Sequence, residues 1–125
     1  MITGAHILLY SSDPEADRAF FRDVLGFRSV DAGHGWLIFE LPRAEAALHP
    51  TDTDPAPDNA EHAMLHAHFY LMCDDLQSFI KSLAAKNVTC TAIEKAPWGI
   101  KTTIRLPSGG QIGLYQPTHP TALGL

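Results

Sequence analysis

The sequence predicts an α+β fold: two βαβββ modules forming a curved mixed sheet around a cup, with the helices outside. Three observations predict it. A run of seven residues headed by a histidine and closed by an aspartate, His6-Ile7-Leu8-Leu9-Tyr10-Ser11-Ser12 before Asp13, returns as His68-Phe69-Tyr70-Leu71-Met72-Cys73-Asp74 before Asp75. A helical pattern follows each run, and three short strand patterns follow each helix. Neither half is large enough to bury its own sheet face, so the halves must pair, which closes the sheet and leaves the cup inside.

The first run is apolar on both faces, as a covered strand is. Pro14 suits the first helical position and makes Asp13 the N-cap. Glu15 and Asp17 stand in the first turn, where the helix dipole favours negative charge. Ala16, Phe20 and Val24, with Phe21 and Leu25, recur at helical spacing. Gly26 is the left-handed stop. Strands are expected near 27–30, 36–41 and 45–49. In the second half Asp74 or Asp75 caps a helix whose apolar face is Leu76, Phe79, Ile80, Leu83 and Ala84. Asn87 stands where Gly26 stood, and strands follow near 89–94, 100–106 and 111–115. Leu41-Pro42 and Leu106-Pro107 end corresponding strands, and Ser108-Gly109-Gly110 makes a tight turn. The reading is one domain over 1–125: module one at about 4–50, a linker at 51–64, module two at 65–117 and a tail at 118–125.

With 125 residues the chain can bury a real core, and its 46% hydrophobic and 18% charged residues are ordinary for a soluble domain. The net charge of −5 and the absence of Lys/Arg runs give no footprint for nucleic acid. No stretch reaches the ~18 apolar residues of a membrane span, and the start lacks a signal-peptide pattern. Cys73 and Cys90 have no metal-site spacing and read as reduced thiols in a cytoplasmic protein.

The segment Phe20-Phe21-Arg22-Asp23-Val24-Leu25-Gly26-Phe27, after a strand and an aspartate, resembles the opening of the vicinal oxygen chelate superfamily. These are the glyoxalases, bleomycin-resistance proteins and extradiol dioxygenases. Pro107-Ser108-Gly109-Gly110-Gln111-Ile112-Gly113-Leu114-Tyr115 resembles the closing turn and strand of the same group, and the resemblance spans residues 4–117. It implies the fold strongly and the reaction weakly. It also implies a small-molecule ligand and a homodimer.

Members with a metal use two inward-facing slots per module, one on the first strand and one on the last. On this register His6 and His68 fill the first-strand slots, which the internal repeat makes equivalent. Imidazole suits zinc, nickel, manganese or iron, and a chelated vicinal-oxygen substrate would have its developing charge stabilised by the ion. The last-strand slots depart from the pattern. Gly113 stands where the family has glutamate, and Ala47, or Leu48 one register on, stands in module one. Neither binds a metal or acts as a base, which argues against lactoylglutathione lyase activity. Residues two apart on a strand share a face. His49 is therefore a substitute third ligand and Tyr115 a substitute donor or catalytic acid, with Glu45 and His66 as further candidates. His62 and His66 also read as exposed linker residues, His34 as a loop tip and His119 as part of the tail.

The expected pocket is lined by His6, Leu8 and Tyr10 from one strand, His68, Tyr70 and Met72 from its repeat, and Gly113. Trp36 and Trp98, each near a glycine at a strand edge, could floor an aromatic cleft. Lys101 and Arg105 share a strand face that could meet an anion. Two readings stay open. One is a divalent-metal enzyme of isomerase, dioxygenase or transferase type, using His6, His68 and His49 with Tyr115. The other is a metal-free protein that sequesters an aromatic or cationic small molecule.

Overall fold

The computed structural model describes residues 1–50 and 64–125. The linker expected at 51–64, apart from Met64, lies outside the described residues, as does His62. Helix α1 is Pro14–Asp23, and its N-cap Asp13 accepts from the Ala16 amide at 3.2 Å. Helix α2 is Leu76–Ala84, capped by Asp75, whose carboxylate takes the Ser78 amide at 3.1 Å. Of the two aspartates offered for that cap, the second is used. Asn87 ends α2 with φ 61, while Val88 donates to the Leu83 carbonyl and Asn87 to that of Ala84. That is the Schellman closure for which the sequence placed Asn87.

Strands β1 (Ser29–Asp31) and β2 (Leu37–Phe39) pair antiparallel as a two-stranded sheet. Asp31 receives the amides of Gly33 and Gly35 at 2.7 and 3.2 Å, and this places His34 at the tip of the connecting loop, as expected. Strands β3 (Tyr70–Met72), β4 (Glu94–Ala96), β5 (Gly99–Arg105) and β6 (Gln111–Pro117) form a four-stranded sheet in the order β3-β6-β5-β4. β3 runs parallel to β6, and the other pairs are antiparallel.

The described residues thus form a mixed α+β fold of two sheets and two helices. Three strand expectations need correction. Residues 6–12 and 45–49 form no ladder. In module two the first strand is held by the last, β3 against β6. The corresponding partners in module one would be these same two segments, and the second, with Ala44, Ala46 and Ala47 and then Pro50, has weak strand propensity and a missing donor. The strand read at 89–94 is broken. It keeps an isolated bridge from Cys90 to Ile104, because the Thr91 hydroxyl takes the Thr103 amide at 2.9 Å, and the ladder resumes at Glu94.

The larger sheet has two unlike faces. Leu71, Ile104, Ile112 and Leu114 alternate onto one face, where Leu76 and Leu83 of α2 and Phe20 and Phe21 of α1 close the core. Phe21 meets Phe27, Phe39 and Phe69 with ring centroids 5.8, 5.4 and 6.4 Å apart, which joins the small sheet to that core. Asp17 adds a polar link. Read from sequence as a first-turn charge, it is buried, and it accepts from the Ser11 hydroxyl at 2.6 Å and the Ser108 amide at 3.0 Å. Burial alone would push this carboxyl up, but the donors from Ser108 and Ser11 outweigh it and hold the group below the ordinary carboxylate range.

Candidate functional site: an aromatic floor and a histidine–glutamate contact

Tyr70, Met72, Lys101, Thr103, Gly113 and Tyr115 alternate onto the face of the larger sheet turned away from the helices, with Tyr70 directly opposite Gly113 and Lys101 opposite Tyr115. The Tyr70 ring lies against the bare backbone at Gly113, and a Cβ built there would collide with three of its carbons. Trp98 comes from the turn between β4 and β5. That turn crosses so close to β6 that the Gln116 carbonyl occupies the space a Cβ on Gly99 would need, at φ +157. The approach brings Trp98 onto the same face.

Three rings result. Tyr70 and Trp98 are 6.0 Å apart at 85°, Tyr70 and Tyr115 are 5.7 Å apart at 89°, and Trp98 and Tyr115 are 5.1 Å apart at 80°. Each pair is edge-to-face, the arrangement the ring quadrupoles favour. Lys101 lies 5.4 Å from the Trp98 ring centre and 3.8 Å from a Glu94 oxygen. A hollow of about 250 Å³ opens beside the floor, lined by Tyr70, Thr91, Ala92, Glu94, Lys101, Thr102 and Thr103. A larger one of about 460 Å³ lies between Leu25, Phe27, Pro42, Phe79 and the end of β3. It holds Cys73, whose thiol is pushed up to about 11 by burial and then by the charges of Asp74 and Cys90. That thiol is protonated at neutral pH and inert. The larger hollow thus offers one unreactive thiol and the Asp74 carboxylate, and the smaller one, beside the three rings and Lys101, is the better candidate.

Polar groups converge on Tyr115. Its hydroxyl is 3.2 Å from His119 Nε2, and the two rings stack with centroids 6.0 Å apart. His119 Nδ1 is 2.8 Å from the Pro120 carbonyl, which can only accept. Nδ1 is therefore a donor, and Nε2 faces both the Tyr115 hydroxyl and the Glu45 carboxylate. Glu45 Oε1 stands 3.7 Å from His119 Nε2, and its other oxygen receives the Ala122 amide at 2.6 Å. Burial first, and the Glu45 charge second, push the Tyr115 phenol above its ordinary range, so it stays a hydrogen-bond donor at neutral pH.

The structure brings together Tyr70, Met72, Gly113, Tyr115 and Trp98 of the residues singled out in the sequence. His6, Leu8 and Tyr10 are exposed on a segment without ladder partners, and His49, His66 and His68 are exposed as well. Trp36 does not join Trp98; it stands exposed with the Arg18 guanidinium 4.5 Å from its ring centre. Arg105 is exposed, whereas Lys101 is at the floor. His119 is the residue sequence reasoning missed. It sits in a Thr-His-Pro stretch without periodicity, and nothing local points to Tyr115.

A family model described as the Glyoxalase/Bleomycin resistance protein/Dioxygenase superfamily matches residues 4–113. The chain belongs to that superfamily. No curated protein matches it. Among solved structures, the superfamily fold is shared with a lactoylglutathione lyase from Agrobacterium tumefaciens, at 22% identity and a TM-score of 0.62, over 91% of this chain and 92% of that one. It is shared with TnmS3, an antibiotic binding protein from Streptomyces sp. CB03234, at 23% identity and a TM-score of 0.59, over 94% and 100%. A glyoxalase/bleomycin resistance protein from the same Streptomyces is 24% identical with a TM-score of 0.54, over 85% and 93%.

The superfamily's metal slots can be tested against this chain. Gly113 has no donor and its slot is covered by the Tyr70 ring. Ala47 has no donor either. Among the described residues no group of three His, Cys, Asp or Glu stands close enough to share an ion. The two last-strand slots, Ala47 and Gly113, thus offer no donor to a metal centre of the superfamily type.

Proposed function

We propose that this chain is a small-molecule-binding protein that holds a flat aromatic ligand, without a metal, against Tyr70, Trp98 and Tyr115. One observation carries the reading: the slot at Gly113 is roofed by the Tyr70 ring, which locks with Trp98 and Tyr115 into one aromatic floor. A floor of rings in mutual edge-to-face contact is preorganised, so little is lost in ordering it when a ligand lands. Stacking on such rings supplies area, and the Tyr115 hydroxyl and Lys101 supply orientation. TnmS3, an antibiotic binding protein of the same fold, supports a binding role here.

The same reading includes a homodimer. Ile7, Leu8, Leu9, Tyr10 and Leu48 are exposed by 45, 63, 45, 89 and 88%. They lie on the two segments that lack ladder partners, and a second copy would remove that apolar surface from water.

The chain has two tryptophans, so a Trp36→Phe variant leaves Trp98 as the single indole reporter. Titrating that variant with 1-naphthol, a neutral flat probe, should give a saturable fluorescence change at one probe per chain. A Tyr70→Ala change in the same background should abolish it. Titrations that are linear and insensitive to Tyr70 would overturn the reading.

A further inference from the structure

The Glu45 carboxylate is out of place for an ordinary surface charge. Its side chain is 16% exposed, and the nearest positive candidate within ion-pair range among the described residues is His119, at 3.7 Å. Besides that ring edge, the carboxylate meets the Ala122 amide at 2.6 Å and the Tyr115 hydroxyl, and among the described residues no lysine or arginine stands within ion-pair range of it. Lys101, the cation at the floor, is engaged with Glu94 and the Trp98 ring instead. A half-buried carboxylate beside aromatic faces, with no lysine or arginine of its own, is a receptor for a positive charge.

What stands there now is an aromatic nitrogen heterocycle. The His119 ring stacks on Tyr115 at an interplanar angle of 25°, with its edge nitrogen toward Glu45. The segment that carries it is lightly held. Thr118 bonds to Trp98 and Pro97, Ala122 bonds to Glu45, and Thr118, Pro120, Thr121 and Ala122 are exposed.

We propose that Glu45 is the cation subsite of the aromatic floor and that His119 is its built-in occupant, displaced by ligands that carry a positively charged nitrogen in or beside a flat ring. The proposal rests on the binding reading above and sharpens it to a substrate class. Stacking on Tyr115 takes the flat ring, and the Glu45 carboxylate, which no lysine or arginine among the described residues pairs, takes the charge. The imidazole competes with every such ligand, so neutral aromatics bind more weakly than those that bring a positive charge.

Calorimetric titration of the full chain at about pH 8, where quinoline is neutral and N-methylquinolinium is not, tests this on wild type, Glu45→Gln and His119→Ala. Glutamine at 45 keeps an acceptor for the Ala122 amide, so the segment stays anchored and the charge alone is lost. Wild type should bind N-methylquinolinium about tenfold more tightly than quinoline, with the preference falling to near unity in Glu45→Gln. His119→Ala should bind the cation several-fold more tightly than wild type does. Equal binding of the two probes, or a preference that survives Glu45→Gln, overturns the cation subsite while the aromatic-binding reading stands. Weaker cation binding in His119→Ala overturns the competitive role of His119. Failure of both probes to bind all three chains overturns the binding reading and this inference together.

Discussion

The Tyr70 ring lies on the Gly113 backbone so closely that any side chain at 113 would strike it. Gly113→Ala must therefore push the ring off or strain β6. Buried overpacking of this kind costs about 1–3 kcal/mol. Urea denaturation should show that loss, and Gly110→Ala, where a Cβ would meet Ser108 Oγ at an ordinary 3.4 Å, should show much less. In the Gly113→Ala/Tyr70→Ala pair the two losses should not add, because the ring that clashes is gone. Additive losses would mean that the two residues are independent.

Asp17 ties α1 to the turn between β5 and β6 through Ser108, and its carboxyl is held below the ordinary range. A group whose folded pKa is lowered contributes stability that is fully present above the unfolded pKa and is lost as pH falls through the folded one. Replacing Asp17 by Asn should thus destabilise the chain by about 1–3 kcal/mol at neutral pH. The gap between wild type and variant should narrow below about pH 4. Urea midpoints for both chains at the two pH values check this. A gap that stays constant with pH would show that the charge is not what Ser108 and Ser11 hold.

Leu8 and Leu9 are 63% and 45% exposed on a segment with no ladder. Light scattering on wild type should find a dimer, and Leu8→Glu with Leu9→Glu should give a folded monomer, since a charge in an apolar interface core is not tolerated. A monomeric wild type would remove the dimer from the account.

Much of the fold was legible because it is written locally. Asp13 and Pro14 announce a helix start, Asn87 a left-handed stop, and Ser108-Gly109-Gly110 a hairpin, and each acts through neighbours a few residues away. The segments 6–12 and 45–49 could not be settled that way. A strand exists only with a partner, and alternation cannot say whether the partner is present. The site divided along the same line. Tyr70, Met72, Gly113 and Tyr115 share a face by period two, which the sequence shows. The contact from Glu45 to His119 spans two segments without periodicity, and Trp36 left the expected pocket because its loop packs toward Arg18 on α1. The buried role of Asp17 was hidden because a first-turn acid already has a sufficient local explanation.

The central claim is that an aromatic floor, with no metal, holds the ligand. Its most direct test is equilibrium dialysis of 1-naphthol against wild type and Tyr70→Ala, each before and after exhaustive treatment with a metal chelator. The account predicts one probe bound per wild-type chain, unchanged by the chelator, and none bound by Tyr70→Ala. Binding that vanishes with the chelator and survives the loss of Tyr70 would contradict it.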